Sequence, residues 1–164
     1  TTSSMYYSIR MSIYHLLCDL NRKSTICPTT SITTTVTASS LPSQCSSYTL
    51  INDDDTRSPD YTATASCDDA VFTSTPEWVR FTGTGGTLLA NCPIEMLRCG
   101  TYAAGWYTGI YPSMAGDTTG GIVCFSFLSN YCYWTILILV TNCNGFYVYY
   151  LQEPPDCDMR YCTI

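Results

Sequence analysis

Apolar and polar positions alternate over residues 5–13: Met5, Tyr7, Ile9, Met11 and Ile13 share one face, and Ser8, Arg10 and Ser12 lie on the other. A period of two predicts a strand with one buried face. A weaker alternation follows, with Ile32, Thr34, Val36 and Ala38 set against Thr33, Thr35 and Thr37, and β-branched residues of this kind suit extended backbone. The short apolar stretch YHLLCDL lies between the two.

Further along, EWVRF (77–81), TLLANC (87–92), GIVCFSFL (121–128), WTILILV (134–140) and GFYVYYL (145–151) predict short strands, rich in aromatic and β-branched residues and bounded by Gly, Asn or Pro. The GTGG at 83–86 reads as a hairpin turn, and Asn144-Gly145 as a two-residue turn between the last two strands. The stretch PIEMLRC (93–99) predicts one or two helical turns. WTILILV is expected to be a buried strand, since it falls far short of the roughly 20 apolar residues that span a bilayer. The pattern predicts a mainly β fold (β-rich α+β): a small disulfide-stapled domain of antiparallel sheets with minor helix, preceded by an N-terminal strand or hairpin segment.

Composition divides the chain. Residues 1–44 form an extended β segment followed by a Ser/Thr-rich stalk, and residues 45–164 hold nine of the cysteines and all three tryptophans. The stalk, residues 28–44, has too few large side chains for a core and suits O-linked sugar; Thr29, Thr30, Thr33, Thr34, Thr35 and Thr37 are the candidate sites. A strand whose outer face is hydroxyls can be both paired and sugar-coated.

Eleven cysteines in 164 residues point to an oxidising compartment and a secreted or cell-surface protein. Cys18, Cys27, Cys45, Cys67, Cys92, Cys99, Cys124, Cys132, Cys143, Cys157 and Cys162 are the candidate bridge residues, and an odd number cannot all pair within one chain. A zinc site is disfavoured because there is no C-x-x-C and His15 is the only histidine. The chain opens Thr-Thr-Ser-Ser without basic or apolar leader regions, so any signal peptide is expected to have been removed.

A net charge of -6, with seven scattered Lys and Arg, argues against a nucleic-acid partner. His15 lies in an apolar stretch with no partner for nucleophilic catalysis, and Glu77, Glu95 and Glu153 show no acid/base spacing. Asp53-Asp54-Asp55 and Asp68-Asp69 lack the pattern of a calcium loop and read as solvated turns. TGTGG lacks the Lys-Ser/Thr of a phosphate loop. Tyr147, Tyr149 and Tyr150 could stack on sugar, but core packing with hydroxyls at the rim is the expected role. No catalytic residue, metal ligand or cofactor is implied.

Several blocks recur in order: Cys45-Ser-Ser-Tyr48-Thr-Leu50, Arg57-Ser58, Cys67-Asp68, WVRFTGTGG from Trp78, CPIEMLRCGT from Cys92, GWYTGIYPS from Gly105, CYW at 132–134, NCNGFYVYYLQEPPDC from Asn142 and RYC at 160–162. Together they resemble the uromodulin-type eight-cysteine domain. The resemblance implies an extracellular, disulfide-stapled, non-enzymatic module of secreted or surface glycoproteins, some of which build filaments and some of which present glycans to microbes. It also implies that a small β-hairpin can precede the domain. Two positions depart from the family pattern. Thr108 stands where the family's adhesin-binding N-glycan is carried, and no Asn-x-Ser/Thr sequon occurs in the chain; Tyr131-Cys132 replaces adjacent cysteines.

An amphipathic strand left in water offers an apolar face and unpaired backbone to any sheet edge. Either residues 5–13 fold back as a hairpin, or Met5, Tyr7, Ile9, Met11 and Ile13 add to the sheet of a neighbouring copy. The second option makes the chain the protomer of an extracellular filament, a homopolymer of itself. The alternative is a soluble module that binds carbohydrate or microbes.

Overall fold

The computed structural model describes residues 40–63 and 66–164, and Leu41–Ile164 forms one compact unit. Seven strands build one sheet: β1 (Thr49–Ile51), β2 (Glu77–Phe81), β3 (Ala103–Tyr107), β4 (Thr118–Phe127), β5 (Asn130–Asn142), β6 (Tyr147–Leu151) and β7 (Met159–Tyr161). Their spatial order is β1-β2-β6-β5-β4-β3-β7. The expected β-rich, disulfide-stapled domain is what forms, with helix among the described residues confined to single 3-10 turns at Ser43–Cys45, Asp55–Arg57 and Asp68–Ala70.

The central pairs are antiparallel, whereas the two outermost pairs, β1 with β2 and β3 with β7, are parallel. Asn144 and Gly145 adopt φ of 58° and 114°. That left-handed pair, closed by Cys143 N–H donating to Phe146 O at 2.8 Å, makes the two-residue turn joining β5 to β6. The Gly83–Gly86 turn also forms, with Gly86 N–H bonded to Gly83 O, but it joins no hairpin. After it, TLLANC contributes only an isolated bridge between Leu89 and Thr163.

The PIEMLRC stretch is irregular rather than helical. Leu97, Cys99 and Gly100 have φ of 63°, 59° and 72°, which no right-handed helix accommodates. The backbone there turns as it brings Cys99 to its bond with Cys162.

Alternation sends every second side chain to one face of the sheet. Val79, Phe81, Val123, Phe125, Ile138, Val140, Tyr149, Leu151, Met159 and Tyr161 form the main core there, closed by Phe72 and Leu89 from the connections. The opposite face carries a second, smaller cluster under the 90–99 connection: Ala90, Ile94, Cys99, Ala104, Trp106, Cys124 and Cys162. That cover reaches only the β3, β4 and β7 side of the sheet.

Candidate functional site: a half-covered sheet

Disulfides fix both ends of the domain. Cys45 is bonded to Cys143 across 98 residues of sequence, Cys99 to Cys162 across 63, and Cys124 to Cys132 across 8. Cys92 is also disulfide-bonded. Cys67 and Cys157 stand as thiols rather than in a bridge, and Asp158 N–H donates to Cys67 Sγ at 2.8 Å. Burial raises the Cys67 thiol pKa; the carboxylates of Asp156 and Asp158 raise that of Cys157. Cys18 and Cys27 lie outside the described residues. So do the candidate assembly positions Met5, Tyr7, Ile9, Met11 and Ile13, the candidate sugar sites Thr29 to Thr37, and His15.

Asp68, expected in a solvated turn, is fully buried. Its carboxylate accepts from Arg57 Nη1 and Nη2 at 2.9 and 2.7 Å and from Tyr161 N–H at 2.8 Å. Arg57 Nη1 also donates to Tyr161 O at 3.0 Å, so this side-chain pair satisfies both backbone groups of Tyr161 on the outermost strand. Asp53 accepts from Arg57 Nε and from Arg160 Nη2. Burial opposes the charge on Arg57, but Asp68 and Asp53 more than offset it and hold its pKa above the ordinary guanidinium value. Asp54 caps the following 3-10 turn by accepting from Thr56 N–H. Of the glutamates, Glu77 accepts from Thr49 Oγ1 at 2.7 Å and Glu95 sits 3.9 Å from Arg98. These acidic groups are engaged in holding the fold.

Tyr149 is buried and Tyr147 packs against the main core, so the strand's tyrosines point inward on that face. Thr108, where the resemblance places a glycosylated Asn, is exposed, and its hydroxyl donates to Ile122 O at 3.0 Å. Tyr131 packs against the second cluster, and its carbonyl accepts from Trp106 Nε1 at 2.7 Å.

The WTILILV run corrects a second expectation, because only one of its faces is buried. Ile138 and Val140 enter the core, whereas Leu137 and Leu139 are 73% and 36% exposed. Ile122, opposite Leu137 on β4, is 42% exposed. Leu139 pairs with Tyr150, which pairs with Trp78, and the rings of Trp78 and Tyr150 lie 5.1 Å apart. This half of the outer face is apolar, and no described segment crosses it as 90–99 crosses the other half. At its upper end, Gln44 Nε2 donates to the hydroxyls of Thr141 and Thr118 at 3.1 and 3.4 Å, next to the Cys45–Cys143 bond.

β5 also outruns its neighbour. Its ladder with β6 covers only Leu139–Asn142, although the strand begins at Asn130. Asn142 directs its N–H and C=O towards β4, to Asp117 and Gly116, so even-numbered positions face β4 and odd-numbered ones face β6. Over the regular ladder from Trp134 onward, the backbone groups of Thr135 and Leu137 therefore point outward, with no ladder partner among the described residues.

No group of three His, Cys, Asp or Glu side chains among the described residues is placed to hold a metal, and no described helix is long and apolar enough to cross a membrane.

Known proteins share this sequence pattern. Residues 79–163 match the family model of the uromodulin-like eight-cysteine domain. Uromodulin of Rattus norvegicus is 41% identical over 108 residues, 65% of this chain and 16% of that protein. The pancreatic secretory granule membrane major glycoprotein GP2 of Homo sapiens is 31% identical over 121 residues, 73% of this chain and 22% of that one. The chain thus spans less than a quarter of the length of these relatives.

Proposed function

The chain belongs to the family of uromodulin-like eight-cysteine domains and is extracellular, secreted or at the cell surface, and from that premise we propose that it is a non-enzymatic structural glycoprotein whose copies join head to tail through the N-terminal segment. The carrying observation is that Leu41–Ile164 forms a compact unit whose seven-stranded sheet is tied by three disulfides within it. On this reading the alternating segment at 5–13 serves a neighbouring copy. A stalk of roughly 17 residues reaches about 50 Å when extended, enough to cross a neighbour of this size. Donation of a strand from each copy to the next is heterologous, and unless it closes into a ring it propagates as a filament. O-linked sugar on Thr29, Thr30, Thr33, Thr34, Thr35 and Thr37 would coat the connecting stretch.

Electron microscopy of the purified chain tests this reading. Linear assemblies are expected for the natural sequence, and their loss on Ile9→Lys, which puts a charge on the apolar face of the segment. Isolated particles of single-domain size in the natural chain would refute it.

A further inference from the structure

The β4–β5 ladder is irregular near the turn that joins the two strands. Between the pairs Phe125–Trp134 and Phe127–Asn130, the single residue Ser126 of β4 faces three of β5, Tyr131 to Tyr133. Such a bulge bends the strand and re-aims its side chains. Here Phe127, Tyr133 and Trp134 gather into one aromatic group, with ring centroids 5.5, 5.3 and 4.3 Å apart. Beside that group, where the chain enters β7, an open cavity of about 370 Å³ is lined by the rings of Phe127, Trp134 and Tyr102 and by Asp156, Cys157 and Asp158. Its volume is that of a small-ligand site.

The loop that carries the two carboxylates is held by its backbone. Asp158 has φ of 60°, its carbonyl accepts from Ala103 N–H at 2.9 Å and from Thr101 Oγ1 at 2.5 Å, and its N–H donates to Cys67 Sγ. Neither Asp156 nor Asp158 forms an ion pair among the described residues, and no Lys, Arg or His lines the cavity. The described arginines are engaged elsewhere: Arg57 and Arg160 with Asp53 and Asp68, Arg98 beside Glu95, and Arg80 over the ring of Phe146. A cleft with charges of one sign and low-dielectric aromatic walls concentrates its field on a guest of the opposite sign.

We propose that this cavity binds an arginine side chain presented by a basic peptide segment of another protein. A guanidinium is planar, so it can stack on an aromatic ring and donate to the carboxylates of Asp156 and Asp158 in the same pose. A neutral sugar would stack as well, but it would leave two negative charges unbalanced. A lysine ammonium would balance charge without the flat stacking surface. The site involves neither the N-terminal segment nor strand exchange, and it stands independently of the self-assembly reading.

An NMR titration of the dilute full chain, read at the indole N–H of Trp134, tests the assignment. The probe is a five-residue peptide of alternating glycine and arginine; the competing probes are its citrulline and lysine versions and a mannose trisaccharide. The arginine peptide is expected to shift the Trp134 signal saturably and to leave those of Trp78 and Trp106 in place. The neutral citrulline peptide should bind roughly tenfold more weakly or worse, and Asp156→Asn with Asp158→Asn should weaken the arginine peptide to a similar extent. Both positions are exposed and Asn tolerates the left-handed conformation, so the double variant should keep the thermal midpoint of the natural chain. Tyr102→Ala, at a side chain 47% exposed, is a second variant that leaves the loop untouched and should weaken binding roughly threefold. No saturable shift, or undiminished binding in both variants, would overturn the site. Equal binding of the citrulline or lysine peptide, or tighter binding of the sugar, would overturn its assignment to arginine.

Discussion

Arg57 and Asp68 meet as a two-point ion pair, Nη1 to Oδ2 at 2.9 Å and Nη2 to Oδ1 at 2.7 Å, with side chains 2% and 0% exposed. Eleven residues apart in sequence, they lie together against β7 and serve its backbone as a further strand would. Removing one member of a buried pair strands the other charge in a low-dielectric site, at a cost of about 3–5 kcal/mol. Asp68→Ala should therefore destabilise the oxidised domain by that order in denaturant unfolding. Replacing both residues with apolar ones of similar volume should cost less than the single change. Equal losses for single and double variants would contradict the role assigned to the pair.

Alkaline stability follows from the core tyrosines. Burial raises the pKa of Tyr107, Tyr111, Tyr149 and Tyr161 above the usual value of about 10. A group with a raised folded pKa contributes fully below its unfolded pKa, and that contribution is lost as pH rises above it. Above about pH 10 the unfolded chain binds fewer protons than the native one, so stability should fall with further rise in pH. Phenolate absorbance should show these tyrosines ionising only together with loss of the fold. Smooth titration of all fourteen tyrosines in a still-folded chain would contradict their burial.

Gly121 lies beneath the ring of Tyr107, where an added Cβ would overlap the ring atoms, and Gly109 meets the same ring. Tyr107 is fully buried in the main core and cannot withdraw. Gly121→Ala should cost about 1–3 kcal/mol through overpacking, measured as a lowered denaturation midpoint. Gly145→Ala is strained by its φ of 114° but meets no neighbouring atom, so its cost should come from the turn alone.

Cys67 and Cys157 offer a check by peptide mapping. Asp158 N–H touches Cys67 Sγ, which puts the two thiols within a residue of one another, and Cys157 is exposed to oxidant. In a secreted chain the pair should be found bridged, a bond that typically stabilises by about 2–4 kcal/mol. Quantitative alkylation of both without prior reduction would refute this. The raised pKa of each thiol predicts slow alkylation at neutral pH once the pair is reduced.

The turn at Asn144-Gly145 and strands β2, β4, β5 and β6 were legible because each is a local pattern: a left-handed dipeptide or a run of β-formers between breakers. Burial was less so. A continuous apolar run such as WTILILV does not reveal whether one face or two will be covered, and here Leu137 and Leu139 face outward. The buried ionic cluster was hidden for a different reason. Arg57 is four residues from Asp53, but Asp68 and Arg160 reach this pair only through the tertiary fold, Arg160 across 107 residues. Adjacent acidic residues ordinarily read as solvent-facing. Strand β7, three residues long, carries no period to detect, and it exists because Ala103 to Gly105 of β3 and the Arg57–Asp68 pair hold it.

Sedimentation velocity of the full chain over a series of concentrations is the most direct test of the central claim, that the domain after Ser40 is complete and the leading strand serves a neighbouring copy. Sedimentation coefficients should rise with concentration through a ladder of species for the natural chain and stay at the single-chain value for Ile9→Lys. A single boundary at the monomer value, identical for both chains at every concentration, would contradict it.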